Sequence, residues 1–333
     1  MSEPVTLDQV ARAAGVSRST ASRVINGGVA SERSVRAVGQ AVKALGFVPN
    51  RAARTLARQR TDQVGIVTPE SPALIFLDQF TAVVTAAAAH CLWQDGLQPI
   101  LALTDPEAPV ASAKQFLHHS NVDGIIVIHF HHDPQLEALL GELDLPIVFI
   151  GRPPQAVRAP YVDADNVHGG RIATQYLIEQ GRRRIACVSG ALSREGAVDR
   201  RAGYLQALGE AGIEPGPYVE LDFQAGAPVS AVAAMLAEHP EIDAVFAQSD
   251  FLAAGALEAI AASGRRVPDD VAVVGFDDSA TATRVRPSLT TVAQPMACLG
   301  SAAAKLLSGR LRSGEWGAWP QVFPTELVIR QSA

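Results

Sequence analysis

The chain has 333 residues, enough for two or three hydrophobic cores, and 48% apolar against 19% charged residues is a globular balance that argues against disorder. No apolar run reaches the ~18–20 residues of a transmembrane helix, and the first residues lack a signal-peptide pattern, so we expect a cytoplasmic protein. The three cysteines are far apart, which indicates neither a disulfide framework nor a zinc site and predicts buried core thiols.

Positive charge is concentrated at the beginning of the chain. Residues 1–60 contain ten Lys or Arg and three Asp or Glu, a net charge of +7, whereas the remainder carries −13 of the total of −6. A basic segment on an acidic body suits a protein that brings only its first part to a polyanion such as nucleic acid. Charge alone leaves open a basic surface that is merely solvated.

The first sixty residues predict three helices and no strand. Thr6, Ser17 and Ser31 are N-cap candidates, and Gly15 and Gly46 are stop signals. The residues expected on the inner faces are Leu7, Val10, Ala11, Ala14, Ala21, Val24, Ile25, Val35, Val38, Val42 and Leu45.

From residue 62 the pattern changes to alternating strands and helices. Near-continuous apolar runs predict parallel strands at 63–68, 98–103, 123–129, 146–151, 184–189, 217–222, 243–248 and 271–276. Helices are expected between them, at about 78–95, 108–119, 133–142, 166–181, 197–212, 227–239, 250–264 and 295–313. So many βα units exceed one common open sheet, and we expect a doubly wound α/β architecture in two lobes with a cleft between them.

The first two helices have the spacing of a helix-turn-helix, joined by Gly15 and Val16. With its apolar residues inward, the second helix presents outward a set of hydrogen-bonding side chains without an acid: Arg18, Ser19, Ser22, Arg23 and Asn26. Arg18 and Ser19, near the helix N-terminus, are placed to read base edges in a major groove, and Ser22 and Asn26 are better suited to phosphates. The alternative is an ordinary solvent-facing helix.

Residues 5–26, which read VTLDQVARAAGVSRSTASRVIN, closely resemble the DNA-binding signature of the lac-repressor (LacI) family. Residues 46–57, GFVPNRAARTLA, look like its hinge segment, and the match continues to PTELVIR at 324–330. The resemblance implies a helix-turn-helix head at 1–48, a hinge helix and linker at 49–61, and a two-lobed sensor similar to periplasmic binding proteins at 62–333. It also implies a homodimeric regulator, most simply a repressor, that binds a palindromic operator and a sugar-like effector.

By this resemblance the DNA contacts fall on Thr6, Ser17, Arg18, Ser19, Ser22, Arg23, Asn26, Asn50, Arg51, Ala53 and Leu56. In the family the paired hinge helices enter the minor groove, and Leu56 is expected to be the wedge at the central base step. The hinge helix is too short to be stable alone, so we expect it to form only on DNA. The alternative is a plain flexible linker. Ala30 and Val35 depart from the family pattern and put a loop contact to phosphate in doubt.

Polar and aromatic residues at the carboxyl ends of strands are the candidates for binding an effector, because ligands of open α/β sheets bind there. The resemblance assigns effector contacts to Arg200, Phe223 and Asp277, whereas Asp278 fits a loop salt bridge better and Arg201 a surface position. Phe223 is alternatively a core residue. Strand ends and helix starts complete the candidate set: Gln79, Phe80, Arg152, Arg200, Phe223, Ser249, Asp250 and Asp277.

Other classes of function find less support. The histidines near residues 129–132 could bind zinc, but strand alternation turns them to opposite faces, so we expect no metal site. No catalytic constellation or phosphate loop occurs, which disfavours an enzyme and predicts no cofactor. A sugar-binding receptor for transport shares the two-lobed fold, but the basic head argues against it. A nucleobase effector remains open, since it too could use a ring, an acid and an arginine.

Overall fold

A computed structural model of the chain describes residues 5–26, 28–47, 60–68, 78–105, 108–119, 122–128, 132–154, 157–221 and 228–333. The chain divides into two compact units, Met1–Thr61 and Asp62–Ala333. The expected bounds of the hinge remain a prediction, because residues 48–59 lie outside the described part.

The described residues of the first unit form three packed helices, α1 (Leu7–Ala13), α2 (Arg18–Ile25) and α3 (Glu32–Leu45). The predicted caps are confirmed, since the side chains of Thr6, Ser17 and Ser31 each accept a hydrogen bond from the backbone of the first turn. The core is formed by Val10, Ala11, Ala21, Val38 and Ala41.

Two inward assignments on α3 are wrong. Val35 is 46% exposed and Leu45 is 37% exposed, so the buried stripe of this helix is narrower than the sequence pattern predicts. The physical reason is size: α1 and α2 have seven and eight residues and cover only one side of a fourteen-residue helix.

The second unit follows the predicted alternation. Its first part contains β1 (Gln63–Thr68), α4 (Gln79–Gln94), β2 (Gln98–Leu103), α5 (Pro109–His119), β3 (Gly124–Ile128), α6 (Pro134–Glu142), β4 (Ile147–Ile150) and β5 (Tyr161–Ala164). The middle part contains α7 (Asn166–Glu179), β6 (Ile185–Ser189), α8 (Glu195–Ala211), β7 (Tyr218–Glu220), α9 (Pro228–Glu238), β8 (Ala244–Ala247), α10 (Asp250–Ala262), β9 (Ala272–Asp277), α11 (Ala280–Arg284) and β10 (Thr290–Ala293). The last part contains α12 (Met296–Ser313), β11 (Gln321–Phe323) and β12 (Glu326–Val328).

These strands form two six-stranded sheets, ordered β11-β5-β4-β3-β1-β2 and β12-β10-β9-β8-β6-β7. Among the described strands, every pair is parallel except β10 with β12. Each sheet carries two hydrophobic clusters, as helices on both faces require. The doubly wound, two-lobed fold is thus confirmed.

The chain passes between the two lobes three times, at residues 165, 294–295 and 324–325. After the second passage, α12 returns to the first lobe and packs against α4, although it follows the second lobe in sequence. At the first and third passages, the amide of Asp165 donates to the carbonyl of Phe323 over 2.8 Å, and Thr325 Oγ1 donates to the carbonyl of Asp165 over 3.2 Å. The passages therefore lie side by side.

Several smaller expectations need correction. Cys91 and Cys187 are buried as predicted, but Cys298 is exposed. Arg201 is half-buried, with its guanidinium carbon 4.7 Å from the ring centroid of Tyr218, and is not a free surface residue. In the described part of the chain, no helix is both long and apolar enough to cross a membrane.

Candidate functional site

The surface of α2 presents the side chains that the sequence assigns to DNA. Arg18, Ser19 and Arg23 are exposed. Arg18 Nε lies 3.6 Å from Asp8 Oδ1, but both side chains are more than half exposed, so this ion pair holds the arginine only weakly. Arg18 therefore remains available to a partner.

Other predicted DNA-binding residues have a local role in the bundle. Ser17 Oγ accepts from the amide of Thr20 over 3.1 Å and lies 2.9 Å from Ser19 Oγ. Thr6 forms a capping box with Gln9, whose Oε1 accepts from the Thr6 amide over 2.7 Å. Both residues begin a helix, where free backbone amides attract anions such as phosphate.

The far end of α2 is more enclosed. Ser22 and Asn26 are half-buried, and Asn26 Nδ2 donates to Ser22 Oγ over 3.3 Å. The hinge candidates Asn50, Arg51, Ala53 and Leu56 and the effector candidate Phe223 lie outside the described residues.

In the second unit a cavity of about 330 Å³ lies between the two lobes, next to the carboxyl ends of the strands. Six of the predicted effector residues line it: Gln79, Phe80, Arg152, Arg200, Ser249 and Asp277. Residues from both lobes form its wall, so an occupant would contact both at once.

Arg200 is the central cation of this cavity. Its Nε donates to Asn166 Oδ1 over 2.8 Å, and its Nη1 donates to the carbonyl of Gln248 over 2.5 Å. Its guanidinium carbon lies 3.7 Å from the ring centroid of Phe276, and Nη1 is 3.8 Å from Asp277 Oδ1. Burial lowers the pKa of Arg200, against the opposing effect of nearby carboxylates. These contacts fix the guanidinium in one plane.

Asp277 ends β9 with its carboxyl group toward the same cavity. Its φ of 113° is a backbone conformation that residues other than glycine rarely adopt, so the fold holds a strained residue here. Gln294, at the second passage between lobes, donates Nε2 to Asp277 Oδ1 over 2.6 Å. Burial raises the pKa of Asp277 well above its usual range.

Asp163 and Asn166 belong to the site although the sequence analysis did not select them. Asp163 Oδ2 accepts from the amide of Arg152 over 2.9 Å, and its Oδ1 accepts from Asn166 Nδ2 over 3.0 Å. Both side chains line the cavity. Burial raises the pKa of Asp163 to about 6.

Asp250, a predicted effector residue, does not line the cavity. It is 1% exposed, and its two oxygens accept from the amide of Ser279 over 2.6 Å and from Thr291 Oγ1 over 2.5 Å. Its carboxylate fixes the loop after β9, and burial raises its pKa to about 6. Ser249 does line the cavity and also caps α10 through the amide of Leu252 at 3.2 Å.

Three further residues that were not predicted from the sequence also line the cavity: Thr68, Gln248 and Gln294. Thr68 and Gln248 directly end or follow predicted strands, so the rule that selected Ser249 applied to them as well. Asp163 lies within β5, Asn166 follows β5, and Gln294 follows β10, and neither of these short strands was predicted from the sequence. Among the described residues, no cluster of His, Cys, Asp and Glu is placed to hold a metal ion.

The arrangement offers fixed donors and acceptors together with aromatic rings, which suits reversible binding of a small polar molecule. Asp278, as expected, pairs instead with Arg330, with Nη2 and Oδ1 2.6 Å apart.

Two family models match the chain: that of bacterial regulatory proteins of the lacI family at residues 6–50, and that of a periplasmic binding protein-like domain at residues 174–333. The HTH-type transcriptional regulator CelR of Thermobifida fusca is 41% identical over 98% of each chain.

Two solved structures extend the comparison. A transcriptional regulator CelR-cellobiose complex is 39% identical with a TM-score of 0.78, covering 99% of this chain and 100% of that one. The lac repressor dimer bound to operator and the anti-inducer ONPF is 29% identical with a TM-score of 0.87, covering 99% of both. The chain therefore belongs to the lacI family of bacterial regulatory proteins, and it is a DNA-binding transcriptional regulator.

Proposed function

We propose that this regulator is a homodimeric repressor that binds a palindromic operator through α2 and responds to a neutral sugar, most simply a disaccharide, bound between its lobes. The observation that carries the proposal is the cavity of about 330 Å³, whose wall joins both lobes around the fixed Arg200–Asp277 pair. We also propose a cytoplasmic location, because a regulator of DNA acts where the chromosome is.

On the DNA side, the proposal rests on the face of α2. Arg18, Ser19 and Arg23 are exposed and carry the donors and acceptors that match base edges and phosphates. The lac repressor is similar over nearly the whole chain and is known as a dimer on operator DNA. Two copies of this chain would place two such helices in successive major grooves, and Leu56 is proposed as the minor-groove wedge.

On the effector side, sugar hydroxyls both donate and accept, and so do the groups of the cavity. Asp163 and Asp277 accept, Arg200 donates, and Asn166 does both. Phe80 and Phe251 also line the wall, and an aromatic ring can cover the C–H face of a sugar. The similar CelR structure holds cellobiose. A cavity of this size lies at the lower end of the ~300–1,000 Å³ typical of small-molecule sites.

Regulation follows from the shared wall. An effector that touches both lobes binds one degree of closure better than another and shifts the population toward it. By linkage, the affinities for effector and operator must change each other by the same factor.

A fluorescence-polarisation titration tests the proposal. The full-length protein is titrated into a labelled duplex from its own promoter region and into a scrambled duplex of equal length, at several salt concentrations. Each titration is repeated with cellobiose, ribose and hypoxanthine. We expect tight binding to the promoter duplex alone, with a steep salt dependence from phosphate contacts. We also expect cellobiose to change the affinity.

No preference for the promoter duplex at low salt would contradict the proposed DNA-reading role. A response to hypoxanthine but to neither sugar would replace the sugar effector by a nucleobase.

A further inference from the structure

A cluster of three charged side chains bridges the two lobes beside the cavity. Arg152 lies just after β4 of the first lobe, and Glu195 and Asp199 lie on α8 of the second. Arg152 Nη2 is 2.8 Å from Glu195 Oε2 and 2.6 Å from Asp199 Oδ1. The three side chains are 20–28% exposed, so water screens them less than a surface pair. We call these residues the cross-cleft ion cluster.

The guanidinium of Arg152, which was predicted from the sequence to contact the effector, is bound within this cluster by protein carboxylates. Two carboxylates share one cation, and the backbone amide of Arg152 donates to Asp163 over 2.9 Å. Burial lowers the pKa of Arg152, but the hydrogen bond to Asp199 and the nearby carboxylates raise it by more. The arginine is thus charged, with its side chain bound by the second lobe and its backbone amide bound by Asp163 of the first.

Two further hydrogen bonds cross the same cleft, and both have backbone donors. The amide of His132, in the first lobe, donates to the carbonyl of Ser193 over 2.9 Å. The amide of Ala280, in the second lobe, donates to Gln79 Oε1 over 2.6 Å. Opening of the lobes would break both bonds and expose these amides to water.

We propose that Arg152 is a positioning residue that holds the two lobes closed through the cross-cleft ion cluster. Asp199 directly precedes Arg200 on α8, so the cluster also fixes the helix turn that carries the central cation. Effector release then requires that the ion pairs break, so Arg152 sets how long the ligand stays bound. This second consequence rests on the proposed sugar-binding function, whereas closure itself does not.

Hydrogen–deuterium exchange of the ligand-free full-length protein tests closure directly. The variants are Arg152→Gln, which removes the charge, and Arg152→Lys, which keeps it. Arg312→Gln is the matched control, because Arg312 pairs with Asp95 at 2.9 Å within the first lobe. We expect Arg152→Gln to speed exchange at the His132 and Ala280 amides about tenfold or more.

Amides of β3 and β8, inside the two lobes, should be unchanged in all variants, and Arg152→Lys should retain most of the protection. Unchanged exchange at His132 and Ala280 in Arg152→Gln would overturn the proposal. Acceleration of the β3 and β8 amides to the same extent would also overturn it, since it would reveal a general loss of stability.

Stopped-flow binding of cellobiose gives a second readout. We expect cellobiose to leave Arg152→Gln about tenfold faster than wild type, with less dependence of the dissociation rate on salt. Equal dissociation rates would overturn the role of Arg152 in ligand retention. A wild-type protein that ignores cellobiose would contradict the proposed effector but not closure, which the exchange measurement decides independently.

Discussion

Arg200 and Asn166 are joined by a hydrogen bond of 2.8 Å from Nε to Oδ1, which connects α8 with the first residue of α7, just after the chain enters the second lobe. Asn166 in turn donates to Asp163 on the first-lobe side of that passage. The central cation of the cavity is thus part of one network with the connection between the lobes. A ligand that displaces Arg200 would therefore disturb the segment that connects the lobes.

The first prediction concerns Arg200. Its substitution by Lys leaves Asn166 and the Gln248 carbonyl without the planar donor they share, because an ammonium cannot make both bonds in that geometry. We expect cellobiose affinity to fall by about 2–3 kcal/mol, or roughly 30–150-fold. Isothermal titration calorimetry measures this. Arg201→Lys is the control, because Arg201 does not line the cavity and contacts Tyr218 instead. Wild-type affinity in Arg200→Lys would refute the assignment.

The second prediction concerns Arg18 on the exposed face of α2. If it forks onto a base, Arg18→Gln should weaken binding to the promoter duplex by about 1–3 kcal/mol and relax discrimination against the scrambled duplex. Arg12→Gln, on α1, removes the same charge and should weaken both duplexes alike or neither. Polarisation titrations at one fixed salt concentration compare them. Equal losses on the two duplexes in Arg18→Gln would assign it to phosphate instead.

The third prediction concerns pH. Burial raises the pKa of Asp163 from the usual 3.8 to about 6, so between these values the folded protein binds more protons than the unfolded chain. The free energy of unfolding should therefore fall as pH rises through this window, with Asp163 contributing up to about 3 kcal/mol. Its favourable contribution is complete below pH ~4 and lost above ~6.

Urea denaturation at several pH values measures this dependence. Asp163→Asn should flatten the slope between pH ~4 and ~6, because the titrating group is gone. Burial also raises the pKa of Asp250 to about 6, so a smaller dependence of the unfolding free energy on pH, of the same sign, should remain in Asp163→Asn. An undiminished slope in Asp163→Asn would show that other groups account for it.

The fourth prediction concerns two glycines on α8. A Cβ at Gly203 would overlap the carbonyl of Val167 on α7, whereas a Cβ at Gly209 meets no atom within 4 Å. Gly203→Ala should force the helices apart and destabilise the protein by about 1–3 kcal/mol or more. Gly209→Ala should stabilise it by about 0.5–1 kcal/mol through helix propensity. Thermal unfolding separates the two, and equal shifts would contradict the close packing of α7 on α8.

The head and the cavity differ in how far the sequence predicted them. In the head, caps and turns are local: the side chains of Thr6, Ser17 and Ser31 bind amides within three residues, so spacing alone located all three helices. The exposure of Val35 was missed, because it depends on how much of α3 the other two helices cover.

In the sensor unit the strand-end rule correctly placed Arg152, Ser249 and Asp277 at the cavity, since a parallel sheet gathers the carboxyl ends of its strands at one edge. Gln79 and Phe80 were selected at a helix start, and Arg200 by the family resemblance. The strand-end rule could not separate Asp250 from Asp277. Asp250 stabilises the loop after β9, whereas Asp277 faces the cavity. Only the tertiary structure distinguishes them, through the φ of 113° at Asp277 and the contacts of Asp250 with Ser279 and Thr291.

By itself the sequence determined the local properties: where helices begin, which runs form parallel strands, and that a basic reading helix precedes a two-lobed α/β body. The tertiary structure alone decided what pairs at long range, because pairing depends on where the chain returns in space. β11 pairs with β5 across more than 150 residues, and Arg152 binds Glu195 and Asp199 across a cleft. In the sequence, a charged residue that follows a strand looks the same whether it binds a ligand or the other lobe. Only the packing of the folded chain determines which of the two it contacts.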